Sequence, residues 1–163
     1  MTTIAFKDGV MAADTGISSG GINMGFVTKP LRVGCWLVGI SGDFLAARAL
    51  LVAIDDVLQQ DAAPPEFYET SMDWMSARMG QPDAEDFDFL LAHPKHGIWT
   101  LELMANGSVG FIHLNHTTYT AIGSGRPFAL GSMFSGASSG EAVAAAMAHD
   151  PFTTGNIEVF KFA

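Results

Sequence analysis

The chain has 163 residues, the length of one domain. With 48% hydrophobic and 15% charged residues, it has ample apolar material for a core and too little charge for disorder. Eight Lys and Arg against 17 Asp and Glu give a net charge of −9, which argues against nucleic acid or an anionic membrane as partner, since both select basic surfaces. The single cysteine, Cys35, excludes an internal disulfide framework; with no signal-peptide pattern and no apolar run of the roughly 20 residues that span a bilayer, a cytoplasmic protein is expected.

Residues 2–7 (TTIAFK) read as a strand, Asp8-Gly9 as a hairpin turn, and residues 10–14 (VMAAD) as the return strand ending at Asp14. A Gly/Ser-rich loop is expected over 15–25. Residues 32–41 (RVGCWLVGIS) read as one apolar strand, with Cys35 as a small buried residue beside Trp36. Ser41-Gly42-Asp43 stops it, and 44–60 reads as a helix, because Ala47, Leu51, Ile54 and Leu58 share one face. After Pro64-Pro65, residues 66–79 predict a second helix and 81–86 a loop. Strands follow at 87–93, 97–103 and 108–114, with turns at Lys95-His96-Gly97 and Ala105-Asn106-Gly107. A further strand is read at 119–125 and a helix at 127–136. Ser138 and Glu141 are spaced as a capping box that opens an Ala-rich helix over 141–149, and 156–162 is the closing strand. Strand runs separated by helix pairs predict a single α+β domain over 1–163, with helices covering antiparallel sheets.

The chemistry centres on Thr2. Methionine before a small residue is normally trimmed, which would leave Thr2 with a free α-amine. A threonine hydroxyl is a poor nucleophile until a base takes its proton, and an α-amine with an unperturbed pKa of about 7.7–8.0 is a competent base near pH 7. Nucleophile and base then belong to one residue. Alone, Met-Thr-Thr is an ordinary start. Competing motifs are weaker. Residues 136–140 match G-x-S-x-G around Ser138, but a helix precedes the serine, and His149-Asp150 follow in the wrong order; Ser138 is read as a helix cap. His93, His96, His113 and His116 lie near turns without carboxylates placed for zinc, so no metal or cofactor is expected.

The opening TTIAFKDGVMAADT resembles the N-terminus of proteasome β-subunits and of the bacterial HslV peptidase, which are N-terminal nucleophile (Ntn) hydrolases. Their pattern is a threonine-led strand, a turn, a second strand ending in aspartate, a glycine-containing loop and a lysine, here Thr2, Asp14 and Lys29. A small-residue turn opening a helix follows at "GISGDFLAA" (39–47), then "AIGSG" (121–125), then an aspartate, two spacers, a hydroxyl residue and glycine within "HDPFTTGNIEVF" (149–160). Each motif is weak by itself; the ordered set is specific.

The resemblance implies a four-layer αββα sandwich, two antiparallel sheets between helix layers. It makes Thr2 the nucleophile and its freed amine the base. Lys29 places an ammonium beside Thr2, lowering the pKa of hydroxyl and amine, and Asp14 fixes Lys29. The Gly42 N–H becomes the oxyanion donor, and Ser124, Asp150 and Thr153 the supporting shell. Ile17, Val27, Leu31 and Ile40 line the first specificity pocket and favour cleavage after apolar residues; a peptide would pair by strand addition along 17–19, which includes Ser18, and 40–42. The implied activity is a cofactor-free threonine-type endopeptidase acting on polypeptides within a homo-oligomeric ring, with an AAA+ unfoldase of HslU type as the partner the resemblance raises. Two alternatives stay open: a catalytically silent shell protein that keeps Met1, and an Ntn amidase acting on small amides.

Overall fold

A computed structural model describes residues 2–19, 22–43, 47–48, 51–52, 55, 58–60, 87–103 and 109–163. The sequence expectations for Met1, Ile54, the second helix at 66–79, the loop at 81–86 and the turn at 105–107 lie outside these residues. Strands β1 (Thr3–Lys7) and β2 (Val10–Asp14) form the expected hairpin. Asp8 and Gly9 both take positive φ, 49° and 78°, the conformation that matches a tight turn to strand twist. Next come β3 (Gly16–Ser19), β4 (Ile22–Phe26), β5 (Pro30–Val33), β6 (Trp36–Gly42), β7 (Phe87–His93), β8 (Gly97–Leu103), β9 (Val109–His113) and β10 (Tyr119–Gly123). Helices α1 (Arg126–Phe134) and α2 (Ser139–His149) precede β11 (Ile157–Lys161). Among the described residues no helix is long and apolar enough to cross a membrane.

The pairing is antiparallel throughout. One sheet has the order β10-β1-β2-β11, a second runs β5-β6-β7-β8-β9, and β3-β4 is a separate two-stranded ribbon. Alternation along β1 and β2 sorts side chains by size. Ile4, Phe6 and Met11 join Leu37, Leu90, Ala92, Ile98 and Ile122 in a core between the two large sheets. Ala5 and Ala12 face the other way and pack with Ala121, Ala129, Met133, Ala142 and Val143. Alanine on that face lets α1 and α2 lie close on the sheet, which buries β1 and β2 on both faces. The Ser138 hydroxyl accepts the Glu141 N–H at 3.3 Å, and the Ser138 N–H donates to the Glu141 carboxylate at 2.8 Å, the capping box read from sequence. Residues 47, 48, 51, 52, 55, 58 and 59 are helical, with Ala47, Leu51 and Leu58 buried.

Two readings are corrected. The loop expected over 15–25 holds two strands: β3 and β4 pair from Gly16↔Phe26 to Ser19↔Ile22, with an irregularity between Ile17 and Ser18. Glycine and serine content suggested a loop and hid the two strands. Residues 32–41 are two strands, because Gly34 takes φ +56° and turns the chain at Gly34-Cys35. Cys35 is therefore an exposed turn residue with a free thiol, not a buried one.

Gly39 shows how close the two sheets lie. A Cβ there would sit 2.7 Å from Ile4 Cγ2 and 3.2 Å from Met11 Sδ, both fully buried. Gly39→Ala is expected to lower the unfolding free energy by about 1–3 kcal/mol through overpacking. Urea unfolding checks this, and an unchanged midpoint would show that the interface yields.

Candidate active site

Asp14 ends β2 fully buried, and its carboxylate collects four donors from distant parts of the chain. Oδ1 accepts the Thr2 hydroxyl, in a short hydrogen bond, and the Thr3 N–H at 2.8 Å. Oδ2 accepts the Lys29 ammonium at 2.8 Å and the Thr154 N–H at 3.1 Å. Lys29 is itself buried and also donates to the Gly16 carbonyl at 2.5 Å. Burial pulls the Lys29 pKa down, the adjacent Asp14 carboxylate pulls it up, and burial prevails. The following Pro30 restricts Lys29 to extended backbone, which suits a side chain reaching across to β2.

A second carboxylate is linked to Thr2 through Ser124. Asp150, the C-cap of α2, accepts the hydroxyls of Ser124 and Thr153, each at 2.6 Å, and the Phe152 N–H at 3.1 Å. Burial alone would raise its pKa, but these donors outweigh burial and hold the carboxyl below the usual range. The Ser124 hydroxyl also reaches the Thr2 carbonyl at 3.3 Å, and Thr153 meets Thr3 hydroxyl to hydroxyl at 2.6 Å. Gly125 makes room for this cluster: a Cβ there would lie 2.0 Å from the Thr3 Oγ1.

A pocket of about 40 Å³ opens beside Thr2, walled by Gly16, Ile17, Ser18, Lys29, Ile40, Ser41 and Gly42. Gly42 ends β6 with φ +85°, a conformation side chains disfavour, and it is exposed. The structure thus gathers Thr2, Lys29, Gly42, Ile17, Ser18 and Ile40 around one pocket, with Asp14 buried against Thr2 and Lys29, and with Ser124, Asp150 and Thr153 linked to Thr2 and Thr3 by hydrogen bonds. Val27 and Leu31 do not line it. The Val27 N–H donates to the Thr15 carbonyl at 2.8 Å. Leu31 stands opposite Val38, a step down the sheet from Ile40, and lines another concavity with Val33, Arg48 and Leu51. Sequence reading missed Thr3, Gly16 and Thr154, and named Ser41 only within the peptide-pairing segment 40–42. The second threonine of the opening pair and of "TTG" was the available signal for two of them.

His93 is buried and serves packing. His93 Nδ1 accepts the N–H groups of Lys95 and His96 at 3.1 and 3.2 Å, and its ring lies 4.6 Å from Trp36. Among the described residues no group of three or more His, Cys, Asp or Glu could hold a metal.

Lys29→Met is expected to cost about 3–5 kcal/mol of stability, because it leaves the Asp14 charge buried without its counter-ion. Adding Asp14→Asn should recover most of that in urea unfolding; a double variant as unstable as the single would refute the account. Ser124→Ala removes one donor from Asp150, so its carboxyl pKa should rise. A depressed carboxylate contributes stability above its unfolded pKa and loses it as pH falls through the folded pKa. The variant should therefore begin acid unfolding at higher pH, and carbon-13 titration of the Asp150 carboxyl reads the shift directly.

Solved structures share this fold. Thiobacillus denitrificans BPH in complex with epoxomicin superimposes with a TM-score of 0.67 at 24% identity, covering 99% of this chain and 98% of that one. Eukaryotic HslV from Trypanosoma brucei gives 0.67 at 17% identity, covering 98% of each chain. A further structure of T. denitrificans BPH gives 0.61 at 24% identity. No protein-family model matches the sequence, and a search of curated proteins finds no match. The chain has the fold of HslV and of the bacterial proteasome homologue across nearly its whole length.

Proposed function

We propose that this chain is a threonine-type peptidase in which Thr2, freed of Met1, is the nucleophile. The observation that carries the reading is the meeting of the Thr2 hydroxyl, the Asp14–Lys29 pair and Gly42 around one small pocket. In the reaction, Thr2 Oγ1 attacks the scissile carbonyl carbon while the Thr2 α-amine takes the hydroxyl proton. The carbonyl oxygen gains the electron pair and rests on the Gly42 N–H. Collapse of this intermediate breaks the C–N bond, and the amine returns the proton to the leaving nitrogen. Water, activated by the same amine, then cleaves the ester. The positive field of Lys29 favours the alkoxide and the neutral amine, and Asp14 holds Lys29 in place. Ser124, Asp150 and Thr153 brace Thr2 and Thr3 through hydrogen bonds.

Ile17 and Ile40 give the pocket an apolar wall, which supports cleavage after apolar residues. The likeness to HslV supports polypeptide substrates, a homo-oligomeric ring and an unfoldase partner. The described layers are helices on sheet and sheet on sheet; the helical residues between 47 and 59 would supply the fourth layer of an αββα sandwich. A second reading, a silent shell protein, is favoured by one observation. The Thr2 hydroxyl donates to Asp14, as a purely structural threonine would.

Intact mass and a peptide panel separate the two. The peptidase reading expects loss of one methionine, turnover of peptides with an apolar residue before the cut, and background rates for Thr2→Ala. Retained Met1, or Thr2→Ala activity equal to the parent, would overturn it. A preference for basic or acidic residues at that position would overturn the apolar wall alone.

A further inference from the structure

We propose that Asp88 is a positioning residue for the Gly42 N–H, acting through Ser41; this rests on the oxyanion role given to Gly42 above. The direction of an N–H is the direction of its peptide plane, and the plane in question joins Ser41 to Gly42. Gly42 stands opposite Phe87 in the ladder but adds no side-chain restraint of its own. That residue ends β6, is exposed, and has no side chain to lock its φ of +85°. The side-chain restraint comes from Ser41. Ser41 is buried, and its hydroxyl donates to Asp88 Oδ2 at 3.1 Å.

The register makes this pair stand out. On the face of β6 and β7 that packs against β1 and β2, the cross-strand pairs are Leu37↔Ala92, Gly39↔Leu90 and Ser41↔Asp88. The first two belong to the core between the sheets, where Gly39 touches Ile4 and Met11. The third places a hydroxyl and a carboxylate where an apolar pair would pack at lower cost, since partly buried polar groups are unfavourable unless used. It does so at the end of the strands that borders Thr2. Ser41 walls the Thr2 pocket, whereas Asp88 walls a different cavity of about 90 Å³ between the sheets, with Thr100, Thr120 and Arg126. Beyond the backbone pairing of Ser41 with Asp88 and Gly42 with Phe87, one side-chain hydrogen bond therefore fastens the end of β6 to β7, a strand paired on both sides. The anchor is rigid, and it reaches the pocket from behind without touching a substrate.

The test uses Ser41→Ala, Asp88→Ala and Asp88→Asn in the full chain, assayed with one fluorogenic peptide carrying an apolar residue before the cut. Misdirecting one oxyanion donor should lower kcat about tenfold or more in Ser41→Ala and Asp88→Ala. KM should stay within about twofold, because the defect falls on the transition state. Asp88→Asn keeps an acceptor oxygen and should retain most of kcat. The double variant Ser41→Ala/Asp88→Ala should be no worse than either single one. In 15N-glycine-labelled protein the Gly42 amide shift should move in Ser41→Ala and Asp88→Ala but not in Asp88→Asn. Unchanged kcat in both alanine variants, equal loss in Asp88→Asn, or losses that track the fraction of folded protein would overturn the proposal. A parent chain that cleaves nothing would defeat the peptidase reading instead. In that case the Gly42 amide decides alone: movement as described upholds the Asp88 anchor, and an unmoved amide refutes it.

Discussion

The buried pair of Asp14 and Lys29 is the constraint on which the rest of the structure depends. Placing a carboxylate and an ammonium out of water costs several kcal/mol for each ion, and attraction alone seldom offsets that. Here the remaining lone pairs of Asp14 are filled by Thr2, Thr3 and Thr154, and Lys29 finds the Gly16 carbonyl as well. Each partner sits on a different segment: the head of β1, the approach to β5, the start of β3 and the link before β11. Any packing that misplaces Lys29 leaves an uncompensated charge, and one that misplaces the others leaves a buried polar group unpaired. The pair thus fixes how the first hairpin, the small ribbon and the C-terminal strand meet, and that meeting point is where Thr2 lies.

The rest of the molecule keeps this point rigid. Size sorting on β1 and β2 lets large residues fill the space between sheets while alanines admit the helices. Thr2 emerges from a strand buried on both faces, so its backbone has little freedom. The second carboxylate, Asp150, is delivered by the end of α2, the helix whose start is fixed by the Ser138 cap. The two carboxylates have divided tasks. Asp14 is matched by a full positive charge, whereas Asp150 is held by hydroxyls and one N–H.

Where local chemistry determines structure, the sequence was legible. Asp8-Gly9 favours positive φ and announced the first hairpin, and the apolar runs at 87–93 and 97–103, separated by a turn signal, announced β7 and β8 to the residue. Capping by Ser138 was equally plain. The misreadings have physical causes. Glycine and serine in 15–25 look like loop, but backbone pairing needs no side chain, so β3 and β4 form anyway. Gly34 was hidden inside an apolar run, which concealed both a turn and the exposure of Cys35. At the site, the ordered motifs pointed to the residues that gather around Thr2. Thr3 was overlooked beside its neighbour, and the Ser41–Asp88 contact depends on register between strands, which no single-sequence pattern specifies.

The donor from Thr154 has a further consequence. It lies 140 residues beyond Asp14, and Thr153, which meets Thr3, lies 150 residues beyond that threonine. A chain still emerging from the ribosome can fold its first hairpin early, since that contact is local. It cannot complete the shell around Thr2 until this late segment has been synthesised. A nascent chain therefore carries Thr2 long before it carries the means to hold it, and under the proposed peptidase reading reactivity would arrive only with the late segment.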